Sequence, residues 1–191
     1  APETKHPSYF RHIDLPVEPR LVEAIERNDL DSSRGGGSKI VVQSFEVSNL
    51  QRLDKRVGVP LVQLINSSGA PQDFIESGDP RTYADMVTPK GLDDIAGYAD
   101  IIGPSNEVLI PLDDQGNTTE PTSVVDDAHQ AGLEVVPFTV RAENEFLPTN
   151  FQSSQDPTEY GDVFGFVGAL YELGVDGIFS DQPDIAVEAR D

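Results

Sequence analysis

Glu3 and Lys5 are the first residues of this chain whose types and spacing carry chemistry. They stand two apart in Ala1-Pro2-Glu3-Thr4-Lys5, a stretch that reads as a strand beginning at residue 1. Residues two apart on a strand share a face, so one carboxylate and one ammonium aim at the same point. The carboxylate suits a hard divalent cation, which takes oxygen ligands, and the ammonium suits a phosphate. The same two residues also suit a structural ion pair inside a sheet layer, and spacing alone does not choose. His6 follows Lys5 and is expected at the same strand end, on the rim. His12 is expected in a loop before a helix, and His129 on a helix surface within Asp126-Asp127-Ala128-His129-Gln130. The three histidines lack the i, i+4 spacing of a helical metal site. With no Cys in the chain, disulfides and thiolate metal sites are excluded.

The elements that must hold these residues alternate between strand and helix. Strands are expected over residues 1–5, 39–44, 60–65, 99–103, 133–139 and 176–180. Runs such as Ile40-Val41-Val42 and Val135-Val136 are continuously apolar, which suits parallel strands covered on both faces. Helices are expected over 17–28, 47–57, 90–98, 121–131 and 160–173, with a short one after Pro183. Leu21, Val22 and Ile25 form one apolar stripe, and Val47, Leu50, Leu53 and Val57 another. Thr119 is the expected N-cap of the fourth helix, and Gly132 and Gly174 are expected stops. Asp93-Asp94 reads as decoration of a helix N-terminus. Three polar connections interrupt the rhythm. Residues 31–38 contain Gly35-Gly36-Gly37 ahead of a strand, which reads as a flexible surface turn and not as a phosphate-cradling loop. Residues 66–89 and 141–157 follow strands, and loops after strands line the C-terminal rim of a parallel sheet. The acidic stretches at Asp113-Asp114 and 156–162 read as solvated loops, and neither fits an EF-hand.

The 191 residues read as one domain of α/β class with about six β/α units. A (β/α)8 barrel needs eight, and an open doubly wound sheet is the rival arrangement. A net charge of −21 argues against nucleic acid and anionic membrane as partners. The charge fits either simple solubility or life in high salt, where a carboxylate coat is screened. There is no apolar run of membrane-spanning length and no visible signal peptide.

The strand-end residues form an ordered series: Pro2-Glu3-x-Lys5, Gln43-Ser44-Phe45-Glu46, Leu61-Val62-Gln63-Leu64, Ala99-Asp100-Ile101-Ile102-Gly103-Pro104, Phe138-Thr139-Val140-Arg141, and Gly174-Val175-Asp176-Gly177-Ile178-Phe179-Ser180-Asp181-x-Pro183-Asp184. From Pro2 to Val187 the series resembles the glycerophosphodiester phosphodiesterase family, and most closely its secreted, periplasmic-type branch. The resemblance implies a TIM-barrel fold of the phospholipase-C-like phosphodiesterase type, (β/α)8 when whole. It implies metal-dependent hydrolysis of a small-molecule glycerophosphodiester to glycerol 3-phosphate and an alcohol, with Ca2+ or Mg2+, in a secreted or periplasmic setting. The family carries a His-Arg-Gly motif and a Glu-Asn-Thr stretch after its first strand, then Glu-x-Asp and a His-Asp pair. None of these is in this sequence, so the chain reads as strands 3 to 8, incompletely liganded and inactive alone. By position, Glu3 matches a metal-ligand carboxylate and Lys5 the phosphate lysine. Phe45 and Phe138 match rim positions of the substrate pocket, and Thr139 and Arg141 follow in the same loop. Gln43 and Gln63 are expected to hydrogen-bond within the mouth, and Asp181 to be structural. Two other readings stand beside this one. The first is a non-catalytic barrel remnant that binds a missing N-terminal segment or a second copy through open strand edges. The second is another phosphoester-processing barrel of sphingomyelinase-D-like type.

Overall fold

A computed structural model describes residues 1–31 and 39–190. The expected Gly35-Gly36-Gly37 turn lies outside the described residues. Four parallel strands form one sheet in the order β1 (Val42–Ser44), β2 (Leu61–Ile65), β3 (Ile101–Pro104) and β4 (Glu134–Val135). Residues at both ends of the chain extend it. The Thr4 amide donates to Gln43 O and the Gln43 amide to Pro2 O, each at 3.0 Å, and Glu3 bridges Gln43 in parallel register. On the far side the Asp176 amide donates to Val135 O and the Val140 amide to Phe179 O, and Val140 bridges Ser180. Among the described residues, strands that neighbour in space thus neighbour in sequence. A doubly wound sheet requires a reversal of strand order, and there is none here; sequential parallel order is barrel order.

Helices cover the outer face. After residues 1–5 come α1 (Pro7–His12) and α2 (Glu18–Arg27), and after β1 comes α3 (Val47–Leu53). Between β2 and β3 lie α4 (Gln72–Ser77), α5 (Tyr83–Met86) and α6 (Pro89–Ala96). Between β3 and β4 lie α7 (Asn106–Leu109) and α8 (Val124–Gln130), and α9 (Val163–Glu172) and α10 (Pro183–Arg190) complete the layer. Among the described residues no helix is long and apolar enough to cross a membrane. Leu50, Leu53, Leu92 and Leu170 are fully buried against Leu61, Ile65 and Ile102. Each such side chain contributes about 2 kcal/mol by leaving water. A smaller cluster of Val62, Leu64 and Ile101, with Phe45, Val136 and Phe138, covers the opposite, concave face of the sheet.

Several local expectations change. The fourth helix starts at Val124 with Ser123 in the capping position, because Thr122 and Thr119 spend their hydroxyls on the carbonyls of Val108 and Pro111. Asp93 and Asp94 lie inside α6, where Asp94 pairs with Lys90 at 2.8 Å, one turn away. The connection 66–89 folds into α4 and α5, and 141–157 into two 3-10 turns, Asn144–Phe146 and Thr149–Phe151. Gly132 and Gly174 end their helices with φ of 84° and 90°, a region that favours glycine.

Candidate active site

Which way Glu3 and Lys5 point follows from Thr4. Thr4 is buried and donates its hydroxyl to Asn49 Oδ1 on α3 at 2.6 Å, so it faces the helix layer. Alternation then turns Glu3 and Lys5 to the concave face. There they line a cleft of about 350 Å3 together with Gln43, Phe45, Phe138 and Asp181. Lys5 Nζ lies 3.1 Å from Glu3 Oε2, with the lysine 72% exposed and the glutamate 18%. So exposed a pair is worth under about 1 kcal/mol, and an incoming anion can separate it. Phe45 and Phe138 stand edge to face with ring centroids 5.8 Å apart and form the apolar wall. They sit at the carboxyl ends of β1 and of the extension of β4, with two strands between them in the sheet, and meet across the strand tips, where α/β barrels place their sites.

Gln43 is the register partner of Glu3 and lines the same cleft. Its Oε1 is buried with no hydrogen-bond partner. Glu3 lines the cleft, and the Gln43 oxygen lies buried at its wall; a carboxylate and an amide oxygen are the donor types of a cation that takes oxygen ligands. Two donors fall short of a metal site: among the described residues no group of three or more His, Asp or Glu stands close enough to hold a metal ion.

Other residues expected at the mouth sit elsewhere. Gln63 shares the parity of Leu61 and Ile65 and faces the helices, where it accepts from the Tyr98 hydroxyl at 2.8 Å and donates to Phe45 O at 3.1 Å. It braces the Phe45 backbone from behind the sheet. Arg141 is not among the cleft-lining residues. Its guanidinium stacks 3.7 Å from the Phe146 ring centroid and lies 3.3 Å from both the Glu143 and Asp181 carboxylates. Asp181 has this structural pairing and also lines the cleft, along with Phe179 and Ser180.

The histidines are separated from one another. His6 is exposed at the start of α1 and borders a second hollow beside Glu3 and Lys5. His12 belongs to the last turn of α1, not to a loop, and faces Glu76 at 3.8 Å. His129 Nε2 lies 3.0 Å from Asp176 Oδ2, whose carboxylate also accepts from the Val135 amide at 2.8 Å. Behind the rim, Glu46 is 2% exposed and accepts from the Ser8 amide and hydroxyl. Burial raises its carboxyl above the ordinary Glu range despite those bonds, and neighbouring Asp73 and Glu76 add to the shift. Tyr83, also by burial, is pushed up to about 12.

With that geometry in place, comparison with known proteins is informative. A model of the glycerophosphoryl diester phosphodiesterase family matches residues 13–185. Glu3 and Lys5 precede the matched span, so their place in the site rests on sheet register. The chain is 32% identical over 142 residues to glycerophosphodiester phosphodiesterase GDPD6 of Arabidopsis thaliana, covering 74% of this chain and 35% of that protein. It is 33% identical over 120 residues to glycerophosphodiester phosphodiesterase GDPDL3 of the same plant, covering 63% of this chain and 15% of that protein. The chain thus spans about a third or less of the length of these curated relatives. A crystal structure of a glycerophosphodiester phosphodiesterase from Parabacteroides distasonis superposes with a TM-score of 0.53 at 14% identity, over 97% of this chain and 53% of that one. At that identity the likeness speaks for the fold, an incomplete (β/α) barrel.

Proposed function

The chain belongs to the glycerophosphoryl diester phosphodiesterase family, and from that premise we propose that its cleft is the phosphate and cation end of a site that hydrolyses glycerophosphodiesters to glycerol 3-phosphate and an alcohol. The observation that carries this reading is the placement of Glu3, Lys5 and Gln43 in one cleft at the strand tips, with Gln43 Oε1 buried there without a partner. Glu3 and Gln43 would hold part of the coordination sphere of Ca2+ or Mg2+. Such an ion, when bound, neutralises phosphoryl oxygens and the charge that develops on them.

The chain's own residues orient and bind. Lys5, on an exposed stem, swings from Glu3 to a phosphoryl oxygen. The crossed rings of Phe45 and Phe138 seat the carbon edge of the glycerol and keep water from that side. Asp181 holds Arg141 against the rim. General acid and base are a different matter. Hydrolysis needs a proton donor for the leaving alkoxide and an acceptor for the attacking hydroxyl. Of the three histidines, His12 and His129 face carboxylates outside the cleft, and His6 alone is near it.

The expected outcome is therefore binding without turnover by these 191 residues. Calorimetric titration with glycerol 3-phosphate in the presence of Ca2+ or Mg2+ should show binding that Glu3→Gln and Lys5→Ala each weaken about tenfold, in line with the loss of one charge-assisted contact. Equal affinity in all three proteins would refute the assignment of the cleft. Full turnover of glycerophosphocholine by this chain would refute the need for further acid and base groups.

A further inference from the structure

Helix α1 begins just past Lys5, and its own sequence does not cap it. His6 stands at its N-cap position and its side chain makes no capping bond. The cap comes from another element. Glu46, at the N-cap position of α3, makes no side-chain bond to its own helix. Its carboxyl instead crosses to the first turn of α1, where it accepts from the Ser8 amide at 2.9 Å and from the Ser8 hydroxyl at 3.0 Å. The Ser8 amide is one of the donors that a helix start leaves without an intrahelical partner, so Glu46 does the work of a local cap. Glu46 is buried, and water offers these donors little alternative.

What lies beside that bond gives it a consequence for the cleft. Thr4 is anchored by its amide to Gln43 O and by its hydroxyl to Asn49. Ser8 is anchored by Glu46. Lys5, His6 and Pro7 run between the two anchors. Among the described residues the amides of Lys5 and His6 donate to no other group, and Pro7 has no N–H to give. His6 has φ 48° and ψ 48°, a left-handed turn that a residue with a Cβ seldom adopts. Such a turn persists only where the surrounding structure holds it. Arg11 also ties α1, to Glu18 at 2.9 Å, but through a long side chain one helical turn further on. Glu46 directly follows Phe45, so one carboxyl joins the strand tip carrying the apolar wall to the segment carrying the ammonium. The Lys5 side chain is 72% exposed, so the order that the protein can supply before a ligand arrives is order of the backbone that bears it.

We propose that Glu46 is a positioning residue of the phosphate end, which acts through Ser8 and not on the ligand, and which fixes Lys5 against Phe45; the inference rests on the reading of Lys5 as the phosphate contact. Its acceptor atoms, not its charge, carry the role. A glutamine in its place keeps the clamp, since the amide oxygen accepts from the Ser8 N–H and the amide NH2 donates to Ser8 Oγ. An alanine releases the turn at His6 and leaves Lys5 to be ordered when the anion binds.

The test is a double-mutant cycle, read by calorimetric titration of the 191-residue chain with glycerol 3-phosphate in matched Ca2+. Glu46→Ala should weaken binding about threefold, the cost of ordering one long side chain on binding. Glu46→Gln should bind within about twofold of the native chain, because both bonds to Ser8 survive. Lys5→Ala should weaken binding about tenfold, and adding Glu46→Ala to it should cost nothing further, since Glu46 acts through the residue already removed. Thermal unfolding shows that each variant is folded at the temperature of the titration. If Glu46→Ala does not fold, Ser8→Ala, which keeps the helix and removes the hydroxyl bond, takes its place in the cycle. Equal losses with and without Lys5 mean a general structural role and overturn the proposal. So does native affinity in Glu46→Ala, and so does a Glu46→Gln variant as weak as Glu46→Ala, which would put the effect on charge. In these failures Lys5→Ala still weakens binding and the phosphate reading stands. Native affinity in Lys5→Ala ends that reading, and the positioning role with it.

Discussion

Replacing Glu18 with Gln should destabilise the protein by an amount that shrinks as the solution is acidified. Glu18 sits on α2 with its side chain fully buried, and its Oε1 accepts from Arg52 of α3 at 2.7 Å and Arg11 of α1 at 2.9 Å. This cluster ties α1, which follows the Glu3–Lys5 segment, to the helix that follows β1. Burial alone would push the carboxyl up, but the hydrogen bonds from Arg52 and Arg11 outweigh it and hold it down from 4.5 to about 2. Each pKa unit is worth about 1.4 kcal/mol, so the ionised form contributes about 3 kcal/mol to folding. The folded pKa is the lower one, so this contribution is fully present above about pH 4.5 and is lost as the pH falls toward 2. Near pH 3 about 1 kcal/mol of it should remain. Urea unfolding of Glu18→Gln and the native chain near pH 7 and near pH 3 measures the gap at each. Other carboxylates titrate in both proteins and cancel in the comparison. A gap of the same size at both pH values would show that Glu18 acts through packing and not through its charge.

Glu46 should behave in the opposite sense. Its folded pKa is raised by burial, so the stability tied to its protonated form is fully present below the ordinary Glu pKa and is lost as the pH rises through the folded value. The stability of Glu46→Gln relative to the native chain should therefore improve between about pH 4 and about pH 7, and denaturant unfolding at the two pH values would expose a wrong sign. Gly103 is a packing constraint on the concave face, where an added Cβ would lie 2.8 Å from Leu64 Cδ2 and 3.2 Å from Val62 Cγ1. Gly103→Val should cost about 1–3 kcal/mol by overpacking, and an unchanged urea midpoint would mean that face is slack.

Much of the architecture could be read without coordinates because it rests on local periodicity. The apolar runs around Val42, Leu61–Ile65 and Ile101 belong to strands buried on both faces, and the stripe containing Leu50 and Leu53 does face the sheet. The site was less legible. Gln43 and Gln63 look alike in sequence, yet one lines the cleft and the other bonds to Tyr98 behind the sheet. Strand parity separates them, and parity is knowable only once Thr4 is seen to bond Asn49, 45 residues away. Arg141 looked like a ligand-facing cation because the family resemblance sets it in the loop after Phe138. Its commitment to Phe146 and Asp181 depends on a partner that arrives from the last strand segment. Ser8 drew no attention at all, since an ordinary Ser in the first turn of a helix becomes informative only when its amide and hydroxyl are found on the Glu46 carboxyl, 38 residues away.

Alternating strand and helix and glycine helix stops were written in the order of residues, because backbone preference and apolar period act over a few neighbours. The tertiary structure alone decided which side chains meet at the strand tips, which carboxylates are held ionised by arginines and which polar atoms are left unanswered. Those outcomes depend on contacts between segments tens of residues apart, where burial removes water as the alternative partner and makes each missing bond count.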